Sequence, residues 1–363
     1  MADTIVIMAG GTGGHIFPGL AVAKSLEAKG YEIHWLGAYG LETTLVPNAG
    51  IPLHSVPIKG LRGNGVFGWI KLPFQLTRAV WNAMRFLQKV KPKCVVGFGG
   101  YAAAPGGIAA KLLGIPVIIH EQNAVAGMVN KLLSKFSTKI LSGFPVALPD
   151  VEVVGNPVRK ELLEIKPYQE RYAARGNAPL RLLIVGGSQG AKRLNEIVFE
   201  AIGSIDRPVE IYHQVGKNWI EHYAELKESA GLDGLYRPVA FIDDMKSAYE
   251  WADLVICRAG ALTVAEVLAV NVASFFVPFP YAVDDHQTEN CRGAFEAGAA
   301  FLVQERDLTS TDLADTINQF TRETAVEMAG KSESLAKKEA TNTIVTIIQK
   351  VINRHESDNL SIS

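Results

Sequence analysis

The sequence predicts an α/β protein built from two doubly wound, Rossmann-like domains with parallel sheets. Three observations predict it: a β-α-β opening that occurs twice, apolar strand cores alternating with helical stretches, and a length too great for one ordinary domain. "TIVIMAGGTGGHIFPGLAVAKSLEAKGYEIHWLG" (4–37) and "RLLIVGGSQGAKRLNEIVFEAIGSIDRPVEIYHQVG" (181–216) each run from an apolar strand through a glycine loop and a helix to a second strand ending in glycine. Each reads as the first βαβ unit of a doubly wound domain. At 363 residues the chain has room for two such domains, each with its own core.

The remaining strands follow in order. "CVVGFGG" (94–100), "PVIIHEQN" (116–123) and "VEVVGNP" (151–157) continue the first sheet; "VAFI" (239–242), "DLVIC" (253–257) and "ASFFVPF" (273–279) continue the second. Apolar strand cores are what a parallel sheet covered on both faces requires. The polar stretch "KPYQERYAARGNAPL" (166–180) reads as the change of domain, just before Arg181. Beyond Leu308 the chain reads as helical, with a polar tail from about Arg354 that reads as frayed. Twin sheets of this kind place ligands beyond the carboxyl ends of their strands, so the strand-end loops are expected to face a cleft between the domains.

Composition narrows the class. Apolar residues make up 48% and charged residues 20%, mean hydropathy is +0.13, and no apolar run is long enough to span a bilayer. "MADTIVIMAGG" reads as a strand and not as a signal peptide. Cys94, Cys257 and Cys291 are scattered without disulfide or metal-ligand spacing, which fits a reducing cytoplasm. A sequence pI of about 6.7, with a net charge of −1, argues against a nucleic-acid partner. That net charge hides an acid-free run between Glu42 and Glu121, which holds Lys59, Arg62, Lys71, Arg78, Arg85, Lys89, Lys91, Lys93 and Lys111. Within it, residues 68–93 interleave Trp69, Phe74, Trp81 and Phe86 with cations. The pattern suits a surface that presses into anionic lipid headgroups, and equally a helix with its apolar face in the core.

The glycine loops exclude two familiar ligands. A dinucleotide fingerprint needs a third glycine and an acid at the end of the second strand. "GTGGHI" (11–16) lacks the glycine, and "WLG" (35–37) lacks the acid. A P-loop needs glycine before Lys-Ser/Thr, whereas "GGSQGAKR" sets Ala191 before Lys192 and has no hydroxyl after it. What remains is a loop whose backbone N–H groups approach an anion at a helix start. Either loop alone is also simply a tight strand-to-helix turn. Two of them, with His15 and Ser188 at the helix mouths, point to two phosphorylated ligands.

Other strand ends carry polar groups. "HEQN" (120–123) is dense in them, "VVGNPVR" (153–159) presents Arg159 as a diphosphate partner, and "DDHQTEN" (284–290) is either a ligand loop or a solvated one. "ALTVAE" (261–266) spaces Thr263 and Glu266 as a capping box, so Glu266 is either a cap or a ligand group. No D-x-D pair occurs, so no metal-chelating set for a nucleotide sugar is evident.

Taken together, "AGGTGGHIFPGLA", "GFGGYAAAPGG", "HEQNAVAG", "VVGNPVR", "IVGGSQGA", "FIDDM" and "CRAGALTVAE" resemble the MurG family, the UDP-N-acetylglucosamine–N-acetylmuramyl-(pentapeptide) pyrophosphoryl-undecaprenol N-acetylglucosaminyltransferases of peptidoglycan synthesis. The motifs run in the family's order from the first strand to about residue 300. The resemblance implies a GT-B fold: an acceptor domain over 1–163, rejoined by the C-terminal helix 341–356, and a UDP-GlcNAc domain over 164–340. It implies inverting transfer of GlcNAc from UDP-GlcNAc to the C4 hydroxyl of the muramoyl group of lipid I, without a metal or other cofactor. By motif, Thr12, Gly13, Gly14 and Asn123 reach toward the sugar, and Arg159 and Ser188 approach the diphosphate. Ile242 meets uracil through its backbone. Ala261, Leu262, Thr263, Val264, Ala265 and Glu266 surround the nucleotide, with Glu266 on the ribose, and Gln287 touches GlcNAc.

An inverting transfer needs a base for the acceptor proton and donors for the leaving UDP. His15 is expected to be that base, because imidazole titrates near neutrality, with Glu121 as the rival. The polyprenyl acceptor turns residues 68–93 into an expected docking surface at the cytoplasmic face of the inner membrane. Cell-wall synthesis and division proteins are the further partners implied. A UDP-GlcNAc 2-epimerase or a non-catalytic nucleotide-sugar sensor would use the same fold and donor without a lipid acceptor.

Overall fold

The computed structural model describes residues 2–58, 65–187 and 190–360, and the side chains of these except 65–72 and 359–360. The chain divides into two compact units, Met1–Val158 with Lys337–Ser363, and Arg159–Ala336. The division precedes the 163/164 boundary expected from the sequence, because the 3-10 turn Lys160–Glu164 packs on the helices Met245–Trp251 and Ala261–Ala269 of the second unit.

The first unit is a seven-stranded parallel sheet. Its strands are β1 (Thr4–Ala9), β2 (Glu32–Gly37), β3 (Leu53–Ser55), β4 (Cys94–Gly99), β5 (Val117–Glu121), β6 (Lys139–Ser142) and β7 (Val151–Val153), in the order β3-β2-β1-β4-β5-β6-β7. Side chains alternate between its faces. Ile5, Ile7, Trp35, Val96 and Phe98 share one core with helix α1 (Gly13–Glu27) and with Ile344, Ile348 and Ile352 of the terminal helix Ala340–Leu360. Val6, Met8, Leu36 and Val95 share the other with Ala79, Ala83 and Leu87. The terminal helix is therefore part of the first sheet's cover. It continues past Arg354, where fraying was expected: its last buried residue is Ile352, and beyond it Glu356 pairs with Lys93.

The second unit has six parallel strands: β8 (Leu180–Val185), β9 (Val209–Gln214), β10 (Tyr236–Val239), β11 (Leu254–Cys257), β12 (Ala273–Phe276) and β13 (Ala300–Leu302), in the order β10-β9-β8-β11-β12-β13. Strand β10 lies earlier than the expected 239–242 and contains Pro238. An edge strand tolerates proline, since its missing N–H faces no partner. The stretch 166–180 is not the polar connector expected. It forms the helix Tyr168–Ala173, and Arg171, Tyr172 and Arg175 are buried. Arg171 donates to the carbonyls of Tyr249, Val270 and Asn271, and Arg175 and Arg322 pair with the fully buried Asp253. Guanidinium forks are here the internal donors that satisfy orphan carbonyls at helix ends.

Candidate functional site

In the first unit the chemistry gathers after β1. Helix α1 begins at Gly13 with Thr12 as its N-cap residue, yet the Thr12 side chain does not cap it. The first N–H groups of the helix are thus left to a ligand, with the positive end of the helix dipole behind them. The Thr12 hydroxyl lies 3.3 Å from His15 Nδ1 instead, and Nδ1 also meets the Gly10 carbonyl at 3.2 Å. A carbonyl can only accept, so Nδ1 carries the proton and Nε2 the lone pair. Loss of water around the half-buried imidazole lowers its pKa below the ordinary histidine value, against the opposing charges of Glu121 and Glu42. His15 is therefore neutral at physiological pH.

Glu42 was not foreseen as a site residue. It starts helix α2 (Glu42–Asn48) and is fully buried, accepting from Ala38 N–H at 2.8 Å and Gly11 N–H at 3.0 Å. The acid sought at the end of β2 is absent, but this one stands a few residues later, at the last acidic position before the acid-free run.

Glu121, the rival base, ends β5 and is buried. Oε1 accepts from the backbone and side-chain amides of Asn123 at 3.0 and 3.3 Å; Oε2 accepts from Gly127 N–H at 3.0 Å and from Asn130 Nδ2 at 2.9 Å. A carboxylate surrounded by four donors holds a loop in shape and has little capacity left for an acceptor proton. The same contacts fix Asn123. On the opposite side of β5, His120 donates from Nε2 to the Gly155 carbonyl at 2.9 Å and accepts at Nδ1 from Gln122.

In the second unit a cavity of about 690 Å3 is lined by Gly187, Lys192, Arg258, Thr263, Tyr281 and Gln287 among others. The helix Lys192–Ile202 opens beside it, and no side chain of the described residues caps it. Gly190 has φ +78°, and a Cβ there would stand 2.2 Å from the Val215 carbonyl, so this turn admits only glycine. Ser188, the expected diphosphate hydroxyl, lies outside the described residues. Gln287 accepts from Phe279 N–H at 2.9 Å, which leaves its amide NH2 for a ligand. Arg258, also unforeseen, donates to the Val277 and Pro278 carbonyls and pairs with Glu305 at the cavity wall.

The expected nucleotide residues 261–266 form the first turns of the helix Ala261–Ala269, whose N-cap is Gly260. Thr263 is inside the helix, so the capping-box reading of Thr263 and Glu266 fails. Glu266 instead meets Arg159 through two hydrogen bonds, at 2.8 and 3.0 Å, and accepts from the Tyr249 hydroxyl at 3.3 Å. Ala261, Leu262, Thr263 and Ala265 keep some exposure or lie at the burial margin, whereas the Val264 side chain is fully buried. Ile242 is buried as well, and its N–H donates to Gln214 Oε1 at 3.3 Å.

Residues 73–90 belong to helix α3 (Gly65–Val90). Ala79, Ala83 and Leu87 face the core, while Phe74, Arg78, Trp81 and Arg85 form an exposed stripe at i, i+4, i+7 and i+11. Phe74 is 82% exposed and Trp81 58%, and the Arg85 guanidinium lies 4.8 Å from the Trp81 ring centroid. Lys71, part of the expected surface, has no described side chain. Among the described residues no helix is long and apolar enough to cross a membrane, and no cluster of three His, Cys, Asp or Glu could hold a metal.

These two sites sit on matching family models. Residues 5–142 match the N-terminal domain of glycosyltransferase family 28 and residues 181–347 its C-terminal domain. The UDP-N-acetylglucosamine–N-acetylmuramyl-(pentapeptide) pyrophosphoryl-undecaprenol N-acetylglucosamine transferase of Burkholderia ambifaria is 50% identical over 96% of each chain, and that of Burkholderia vietnamiensis is equally similar. The crystal structure of Acinetobacter baumannii MurG aligns with a TM-score of 0.84 at 42% identity, covering 96% of this chain and 99% of that one. A putative UDP-N-acetylglucosamine 2-epimerase from Listeria monocytogenes aligns with a TM-score of 0.67 at 14% identity over 98% of each chain, a likeness of fold alone. With two parallel α/β units of GT-B type, the chain belongs to glycosyltransferase family 28, among its MurG transferases.

Proposed function

We propose that this glycosyltransferase moves GlcNAc from UDP-GlcNAc to the muramoyl C4 hydroxyl of undecaprenyl-diphospho-MurNAc-pentapeptide, with inversion, at the cytoplasmic face of the inner membrane. The observation that carries the reading is the 50% identity to transferases of that name over 96% of the chain. In the reaction, Nε2 of His15 takes the proton of the acceptor hydroxyl as its oxygen attacks the anomeric carbon from the face opposite UDP. The anomeric C–O bond breaks, and its electron pair leaves on the β-phosphate. The start of the helix Lys192–Ile202, whose N-cap residue is Ala191, and the Nη1 edge of Arg159, which makes no hydrogen bond among the described residues, support placing the diphosphate beside them. The first helix start, at Gly13 and Gly14, suits the diphosphate of the lipid acceptor, and the stripe on α3 suits the bilayer that carries it.

Radiolabelled UDP-GlcNAc, incubated with and without a lipid I analogue, tests the reading. A labelled disaccharide lipid and UDP, formed only with the acceptor, is the expected result. Release of ManNAc or UDP without acceptor would mean epimerisation, and binding without turnover a sensor; either outcome rejects the transfer.

A further inference from the structure

The Gly10–Gly11 peptide is gripped from both sides. On its N–H side stands Glu42, whose Oε2 accepts from Gly11 at 3.0 Å while Oε1 accepts from Ala38 at 2.8 Å. The carboxylate is fully buried, and no Lys, Arg or His nitrogen pairs with it among the described residues. Three glycines close over it. A Cβ on Gly10 would stand 2.5 Å from Oε1, one on Gly40 2.7 Å from Oε2, and one on Gly37 2.8 Å from Cγ. A buried, unpaired carboxylate held only by backbone amides is costly to keep, so those amides are firmly directed.

The peptide is trans, so its N–H and C=O point in opposite directions. With Gly11 N–H turned to Glu42, the Gly10 carbonyl is turned to His15 Nδ1, at 3.2 Å. The far side of the ring is kept clear by glycine as well: a Cβ on Gly99 would lie 3.1 Å from Nε2, and one on Gly100 would lie 2.2 Å from the Gly10 oxygen. We propose that Glu42 is a positioning residue for the transfer, which acts through the Gly10–Gly11 peptide to fix His15 as the Nδ1–H tautomer and present Nε2 as the accepting atom. The proposal rests on His15 as the base, and it gives that base the same support a carboxylate gives a catalytic histidine directly, with one peptide interposed.

The charged groups facing His15 are Glu121 from β5 and Glu42 from α2, and both oppose the lowering of its pKa by lost hydration. Removing one of them therefore moves the acid limb of the rate to lower pH.

Full-length protein labelled with imidazole 15N-histidine, with His15 assigned by the signals missing in His15→Gln, reads the tautomer without any activity measurement. The wild type should show a protonated Nδ1 and an unprotonated Nε2 above its pKa. Glu42→Gln, whose amide cannot accept both backbone N–H groups, should mix the tautomers. It should also lower kcat by about 10- to 100-fold, since misplaced catalytic groups cost about that much, while KM for UDP-GlcNAc stays within about threefold. Its acid limb should move down. Glu42→Asp keeps the charge but withdraws the oxygens, so kcat should fall with the limb in place. An Nε2–H tautomer in the wild type, the wild-type tautomer retained in Glu42→Gln, or wild-type kcat in that variant overturns the proposal. If Glu42→Gln does not fold, the wild-type spectrum and Glu42→Asp decide it. Full turnover by His15→Ala would instead reject the base assignment and leave the tautomer result standing.

Discussion

Arg159 and Glu266 meet fork to fork in the second unit, Nε on Oε1 at 2.8 Å and Nη2 on Oε2 at 3.0 Å, with the Tyr249 hydroxyl also on Oε2. The carboxylate is set before any ligand arrives, and the guanidinium has one edge engaged and one open among the described residues. Uridine and UDP separate the two duties of Arg159. If the open edge serves the diphosphate, Arg159→Ala weakens UDP binding by roughly 10-fold or more, the worth of a charge-assisted hydrogen bond, and uridine binding by less than about threefold. If calorimetry shows equal losses for both ligands, Arg159 serves only to orient Glu266. Glu266→Ala should weaken both.

His15→Ala should lower kcat by about 100- to 10,000-fold, the usual range for a general base, and leave UDP affinity unchanged. Because lost hydration holds the imidazole below the ordinary histidine value, the wild-type rate should stay level as pH falls through that value and drop only below it. Steady-state rates across pH 5 to 9 check this, and a limb above the ordinary histidine value would contradict the assignment.

Two other histidines make stability depend on acid. Burial pushes His120 down to about 4 and His213 to about 3. His213 donates from Nε2 to Asn195 Oδ1 and accepts at Nδ1 from the Tyr236 hydroxyl, so neither buried ring has room for a second proton. Both folded values lie below the unfolded one, so the stabilisation is complete above about pH 6.5 and is lost as pH falls toward the folded values. At pH 5 each ring should have forfeited about 2 kcal/mol, one in each unit. Urea unfolding at pH 7 and pH 5 should show the loss, and His213→Gln should flatten it for the second unit; an unchanged slope in that variant would exclude His213 as the source.

The long, fully apolar strands were legible because a sheet buried on both faces leaves nothing to alternate. β3 (LHS) and β6 (KILS) escaped notice because polar residues break so short a run. The arginines of 166–180 misled, since charge in a sequence reads as solvent while a guanidinium fork can serve buried carbonyls. Glycine loops and His15 stood out by residue type. Glu42 did not, because its meaning lies in which amides it faces, and local spacing does not encode that. For Glu266 spacing left a cap and a ligand group equally open, and the helix start at Gly260 removed the cap.

The stripe on α3 carries the last prediction. A helix that needed Phe74 and Trp81 for its core would bury them, but Ala79, Ala83 and Leu87 already supply the packing. Two large rings are left in water beside Arg78 and Arg85, in a stretch without acids. Each cation near an anionic leaflet contributes about 1 kcal/mol, and the rings add apolar burial at the interface. Arg78→Ala/Arg85→Ala should therefore reduce binding to vesicles of anionic lipid by roughly 10-fold or more, and added salt should erase the difference. Phe74→Ser/Trp81→Ser should weaken binding in a way that salt does not erase. Since all four side chains are exposed, thermal unfolding and turnover of a short-chain, water-soluble acceptor should stay near wild type. Sedimentation with anionic and with zwitterionic vesicles reads the outcome: equal binding by both double variants and the wild type would remove α3 from the membrane surface and leave the stripe unexplained.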